Sequence, residues 1–220
     1  MGILAKTRNR DGKSGGAGEG GYVAEFADRL WGRLGGRALE KGVKIVTNAG
    51  GMNPVGLKLH LERLAAQNNW KVTVAAVHGD DVTPVFSRWL EENRLKGFDL
   101  IGDAEALPDA KVAKSIASAN VYFGAAGIAE ALRAGADVVV TGRVVDSALV
   151  LGPLVAHFAW QWTDFNLLAR GSVIGHILEC GCQATGGNYT DWRVSHADKQ
   201  WVNVGFPVAE CSSDGSAIIT

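Results

Sequence analysis

Long apolar runs are missing from this sequence. No stretch of about 18 residues is apolar throughout, the length a membrane-spanning helix needs. Basic runs are missing too. Twenty-two Lys and Arg stand against 23 Asp and Glu, for a net charge of −1, so a nucleic-acid partner is not expected. Cysteine is scarce and odd in number, at three. Cys180 and Cys182 lie too close in sequence to bridge easily. That argues against a disulfide scaffold and for a reducing, cytoplasmic setting. The opening "MGILAKTRNRDGKS" has no long apolar core of a signal peptide, and Lys6 stands where a myristoylation pattern wants Ser or Thr. No solenoid-type repeat is present.

What remains is 220 residues, 47% hydrophobic and 20% charged, enough for one domain with a full core. Residues 11–21, "DGKSGGAGEGG", hold six glycines and no large apolar side chain, so 1–21 reads as a flexible N-terminal segment. From 22 to 220 the pattern is that of a single α/β domain. "YVAEFADRLWGRLGGRALEKG" (22–42) has helical spacing at Val23, Phe26, Leu30 and Leu34, with Gly35 and Gly36 expected to interrupt it and Gly42 to cap it. "VKIVT" (43–47) reads as a strand. "PVGLKLHLERLAAQ" (54–67) reads as a helix with Pro54 in its first turn, and "KVTVAAV" (71–77) as a second strand. Together these three have the size of a βαβ unit.

The pattern recurs with helix at 125–135, strand at 136–142 and helix at 145–158. A further helix is predicted at 171–184, capped by Ser172. "FPVAECSSDGSAIIT" suggests a hairpin around Asp214 and Gly215. The alternation predicts a layered α/β fold: a mostly parallel open sheet flanked by helices, with a C-terminal β-hairpin.

Ligands of such sheets gather at the carboxyl ends of the strands, and three loops there carry polar side chains. "NAGGMNP" (48–54) offers Asn48, Gly50, Gly51 and Asn53. Glycines that take positive φ and expose N–H groups, ahead of a helix N-terminus, suit an anion, or else make a tight turn that binds nothing. "HGDD" (78–81) offers Asp80 and Asp81 for Mg²⁺ or a substrate hydroxyl, or as a cap for the next helix. "TGRVVD" (141–146) offers Arg143 for a carboxylate or phosphate, with Asp146 as a helix cap or as the partner of Arg143. All three loops are expected to face one cleft.

The densest segment is "GHILECGCQATGGN" (175–188). His176 and Cys180 are four residues apart on a helix face, and Glu179 lies near that face. His176 with Cys180 resembles a base–nucleophile pair. A metal pair is the other reading, although no second ligand pair stands at a recognisable spacing. The bland alternative is a core His and a buried Cys. Gly186, Gly187 and Asn188 form a second bare backbone stretch, for a ligand or for a plain helix stop.

Four motifs in order, "KIVTNAGGMNPVG", "SANVYFGAAGIAEALRAGADVVVTGRVVDSALVLGPL", "GHILECGCQATGGN" and "GFPVAECSSDGSAIIT", resemble the acyclic terpene utilisation family from about Gly21 to Thr220. The resemblance implies a place in the degradation of acyclic terpenes through CoA thioesters. It implies an enzyme-like domain acting on a small acyl or CoA-type substrate, with no defined reaction or cofactor. It also implies further structure before Met1 and after Thr220, and hence a chain that is poorly stable or associates when made alone. In this reading the site holds the three loops, with His176 or Glu179 moving a proton and Cys180 as nucleophile.

Two rivals stand beside it. The "NAGG" turn and Asp80 suggest a nicotinamide-dependent oxidoreductase, against the glycine spacing of the dinucleotide fingerprint. Seven tryptophans suit a non-catalytic subunit docking on a carboxylase-type partner or a homo-oligomer.

Overall fold

The structure is a computed structural model that describes residues 20–92, 116–197 and 200–220. The expected loose segment at 1–21 lies outside the described residues, except for Gly20 and Gly21.

Three parallel strands form the central sheet: β1 (Ile45–Thr47), β2 (Val74–Val77) and β3 (Val138–Thr141), in the order β1-β3-β2. β1 and β2 are joined through the helix Pro54–Gln67, yet they are not neighbours. β3 enters between them from 60 residues further on and pairs with both. Its sequence explains the position. "VVVT" is β-branched throughout, and Val138, Val139, Val140 and Thr141 are all buried, as a central parallel strand covered on both faces must be. Each buried valine contributes about 1.5–3 kcal/mol relative to exposure.

The two-residue period of β3 divides the core. Val138 and Val140 join a cluster with Trp31, Leu57 and Leu61 on one face. Val139 joins Ala125, Ile128, Val144 and Ala148 on the other. The first face is covered by a π-helical turn (Phe26–Trp31) that runs into α1 (Gly32–Glu40), and by α2 (Pro54–Gln67). The short helix α3 (Thr83–Glu91) follows β2. The second face is covered by α4 (Ala126–Arg133) and α5 (Ala148–Phe158). Outside α5 lies α6 (Phe165–Glu179), and against these pack the antiparallel strands β4 (Ala209–Cys211) and β5 (Ala217–Ile219). A last short helix, α7, spans Trp192–Ala197. The fold is α/β, a parallel sheet between helices with a C-terminal hairpin. No helix among the described residues is long and apolar enough to cross a membrane.

Three local expectations are corrected. Gly35 and Gly36 do not interrupt their helix. They clear space for two indoles, since a Cβ on Gly35 would stand 2.8 Å from both Trp31 and Trp70, and one on Gly36 2.9 Å from Trp70. Ser172 is not a cap: α6 begins at Phe165, and the Ser172 hydroxyl donates to Leu168 O in mid-helix (2.8 Å). The helix stops at Glu179, so Gly181–Gln183 form a separate 3₁₀ turn.

Candidate functional site

Because the strands are parallel, the loops after β1, β2 and β3 emerge at one edge of the sheet. Side chains tie them together. Asn48 Nδ2 donates to Asp146 Oδ1 (3.4 Å). Gly142 N donates to Val77 O (3.2 Å). Asp80 is buried, and its Oδ2 accepts from Arg143 N (2.8 Å) and Asn120 Nδ2 (3.0 Å). Asp80 therefore knits the ends of β2 and β3 through Oδ2. Asp81 accepts from Thr83 N (2.9 Å) and from the Thr83 hydroxyl, and so braces the start of α3.

The turn at 48–53 uses most of its donors on itself. Gly51 N donates to Asn48 O (3.2 Å), Asn53 N to Gly50 O (2.8 Å) and Met52 N to Gly21 O (2.7 Å). Asn53 is buried and caps α2, accepting from Gly56 N (2.8 Å) and donating to Gly20 O (3.0 Å). Gly51 has positive φ (55°). Gly50 does not need one; its glycine is required because a Cβ would lie 2.5 Å from Thr141 O and 2.7 Å from Pro54 Cα. The bare backbone lets the turn press on the end of the central strand.

Arg143 and Asp146 do not pair with each other. The Arg143 guanidinium lies over the Tyr122 ring, 4.5 Å from its centroid, and Nη2 donates to the Tyr122 hydroxyl (2.5 Å). Tyr122 arrives on a segment that extends the edge of the sheet. Val121 N bonds Asp80 O (2.8 Å), Phe123 N bonds Arg143 O (3.3 Å) and Val145 N bonds Phe123 O (2.9 Å). Sequence reasoning selected neither Asn120 nor Tyr122. The available signal was their place in "SANVYF", directly ahead of a helix and inside a family-like motif.

His176, Glu179 and Cys180 form a separate cluster at the end of α6. That helix meets the carboxyl edge through Gly175, whose absent Cβ would lie 2.5 Å from Ser147 O, one residue beyond Asp146. The His176 side chain is 77% exposed, so it is not a core histidine, and its Nδ1 lies 3.8 Å from Glu179 Oε1. Leu178 packs inward. The expected partner of Cys180 was His176; the thiol instead donates to Glu179 Oε1 (3.3 Å). That hydrogen bond first, then desolvation and the carboxylate's charge, raises the Cys180 pKa above its ordinary 9.0. A neutral thiol is the wrong form for a nucleophile at pH 7. At 185–188, Gly187 N donates to Cys182 O (2.7 Å) and the Thr185 hydroxyl to Gly205 O (2.5 Å). Gly186 takes φ 121°, and the segment, with the exposed Asn188, closes the helix end.

The family model for the acyclic terpene utilisation family protein AtuA matches residues 1–220. The chain belongs to the acyclic terpene utilisation family. Membership places it in acyclic terpene utilisation. Comparison with curated proteins and with solved structures found no match.

In this family member a cavity of about 480 Å³ opens at the opposite, amino edge of the sheet, among Lys44, Arg133, Pro153, His157, Phe158 and Cys211. Two of its cations are already matched, Lys44 by Asp137 and Arg133 by Glu130, each at 2.8 Å. This hollow and the richer side-chain chemistry thus lie at opposite edges. Side-chain chemistry and strand polarity both favour the carboxyl edge as the functional one.

Proposed function

We propose that the carboxyl edge of the sheet binds an acyl or CoA-thioester intermediate of acyclic terpene catabolism, with Arg143 as the anchor for its anionic group. The observation that carries this reading is the state of Arg143. Its guanidinium is oriented by Tyr122, and among the described residues no carboxylate forms an ion pair with it. A planar fork of donors held in this way suits bidentate contact with a carboxylate or phosphate. Asn48 and Asp146 stand at the same edge as a polar pair for the substrate's carbonyl or hydroxyl groups. In this reading Gly50, Gly51, Asn53 and Asp80 hold the floor, and His176 or Glu179, one contact away through Gly175 and Ser147, moves the proton.

The test is calorimetric titration of the full chain with a ten-carbon terpenoid acyl-CoA, with CoA and with the free terpenoid acid. Binding of the thioester is expected, weakened by Arg143→Ala at least about tenfold, or 1.4 kcal/mol, and only partly restored by Arg143→Lys. Absence of binding by all three ligands, or an Arg143→Ala variant that binds as tightly as the parent chain, would sink this reading.

A further inference from the structure

We propose that His176, Glu179 and Cys180 form a binding site for a divalent transition-metal ion, with zinc favoured by the donor set. The three side chains are spaced i, i+3, i+4 over the last turn of α6, which gathers them on one side of the helix. Their ligand atoms all lie within 4.8 Å of one another. Two separations are known individually: His176 Nδ1 to Glu179 Oε1 at 3.8 Å and Cys180 Sγ to Glu179 Oε1 at 3.3 Å. Zinc takes nitrogen and oxygen at about 2.0–2.2 Å and sulfur at about 2.3 Å, in a tetrahedron whose nitrogen–oxygen edge is then roughly 3.3–3.5 Å and whose sulfur–oxygen edge is roughly 3.5–3.7 Å. Before any ion is added the two separations already stand within about 0.3 Å of such edges, and rotation of the exposed His176 side chain closes the third.

The chemistry selects the class of ion. Imidazole, thiolate and carboxylate together suit zinc and its first-row neighbours, whereas magnesium and calcium take all-oxygen shells. The ion would sit at the carboxyl end of a 15-residue helix, where the macrodipole and the terminal carbonyls favour a cation. Binding would replace the proton that Cys180 donates to Glu179 and release it to solvent. Three protein ligands leave a fourth position for water or a substrate oxygen, the pattern of catalytic rather than structural zinc. The site rests on these three donor atoms and not on the acyl-CoA reading. The two readings meet at His176 and Glu179, since a His176 Nδ1 lone pair or a Glu179 carboxylate oxygen that holds an ion cannot take a proton at once.

The test uses the untagged full chain, stripped with a chelator and titrated with Co²⁺ in the absence of substrate. The expected result is one ion per chain, with the intense visible bands of tetrahedral cobalt, a near-ultraviolet thiolate-to-cobalt charge-transfer band, and displacement of both by Zn²⁺. Cys180→Ser should abolish the charge-transfer band, His176→Gln should weaken binding at least tenfold, and Cys182→Ser should leave both intact. All three side chains lie outside the core clusters, and circular dichroism would verify that the variants fold. Absence of the charge-transfer band in the parent chain, or its survival in Cys180→Ser, would overturn the site, whatever the acyl-CoA titration shows.

Discussion

At Gly50 a single methyl group separates a tight junction from a clash. The added Cβ would meet Thr141 O and Pro54 Cα at 2.5 and 2.7 Å, and both are backbone atoms that cannot swing aside. Gly50→Ala is therefore expected to cost about 1–3 kcal/mol and to lower the melting temperature by roughly 2–10 °C. Gly124 is the control. A Cβ there meets nothing within 4 Å, and Gly124→Ala should stay within about 0.5 kcal/mol of the parent. Equal melting temperatures for the two variants would show that the 48–53 turn yields easily and does not brace the end of β3. The residue type alone announced a turn at this position. The reason for the glycine is the strand it presses on, which lies some 90 residues away.

Each edge of the sheet is held by one aspartate. At the carboxyl edge it is Asp80, buried beside the Gly142 backbone. At the amino edge it is Asp137, whose carboxylate accepts from Lys44 Nζ (2.8 Å) and Thr73 N (2.9 Å), joining the approaches to all three strands. Burial pushes the Asp137 pKa up, but the Lys44 hydrogen bond, the Thr73 N–H and the Lys44 charge outweigh it, and the carboxyl is held below its ordinary 3.8. A folded-state pKa lowered in this way stabilises the fold above the unfolded value, and that stabilisation is lost as pH falls through the folded one. The pair is partly exposed, so its worth is at most about 1 kcal/mol and shrinks with salt. Urea melts should show Asp137→Asn less stable than the parent at pH 7, the two converging as pH is taken well below 3.8. A gap that persists unchanged in acid would assign the difference to lost packing rather than to charge.

Across the whole molecule, the C-terminal hairpin is held to the helical layer by apolar packing and by hydrogen bonds from Trp160 and Arg170. Trp160 is buried, and its indole N–H donates to Ser213 O (2.8 Å); Arg170 Nη1 donates to Asp214 O (2.8 Å). Gly215, at φ 79°, sits against Arg170 and Leu167. Trp160→Phe keeps an aromatic ring and removes the bond, which is worth about 1 kcal/mol. Hydrogen exchange should then speed up severalfold at Ser212 and Thr220, whose amides bond across the hairpin, while the amides of β3 stay protected. Uniform loss of protection would mean that hairpin and sheet open as one cooperative unit.

The sequence by itself determined the local elements and the polarity of the sheet. Pro54 starts α2 where the apolar spacing says, "VVVT" reads as a strand, and Asp214-Gly215 marks the hairpin. Parallel strands then oblige the three polar loops to share an edge. The i, i+3, i+4 spacing likewise obliges His176, Glu179 and Cys180 to meet. Tertiary structure alone decided the strand order, with β3 between β1 and β2. It made Asp80 a buried brace, set two indoles on Gly35 and Gly36, and paired Arg143 with Tyr122 instead of Asp146. The physical reason is one of range. Periodicity and capping act within a few residues and can be read from their neighbours, whereas strand order and side-chain partners depend on contacts between segments 20 to 100 residues apart, which sequence spacing does not encode.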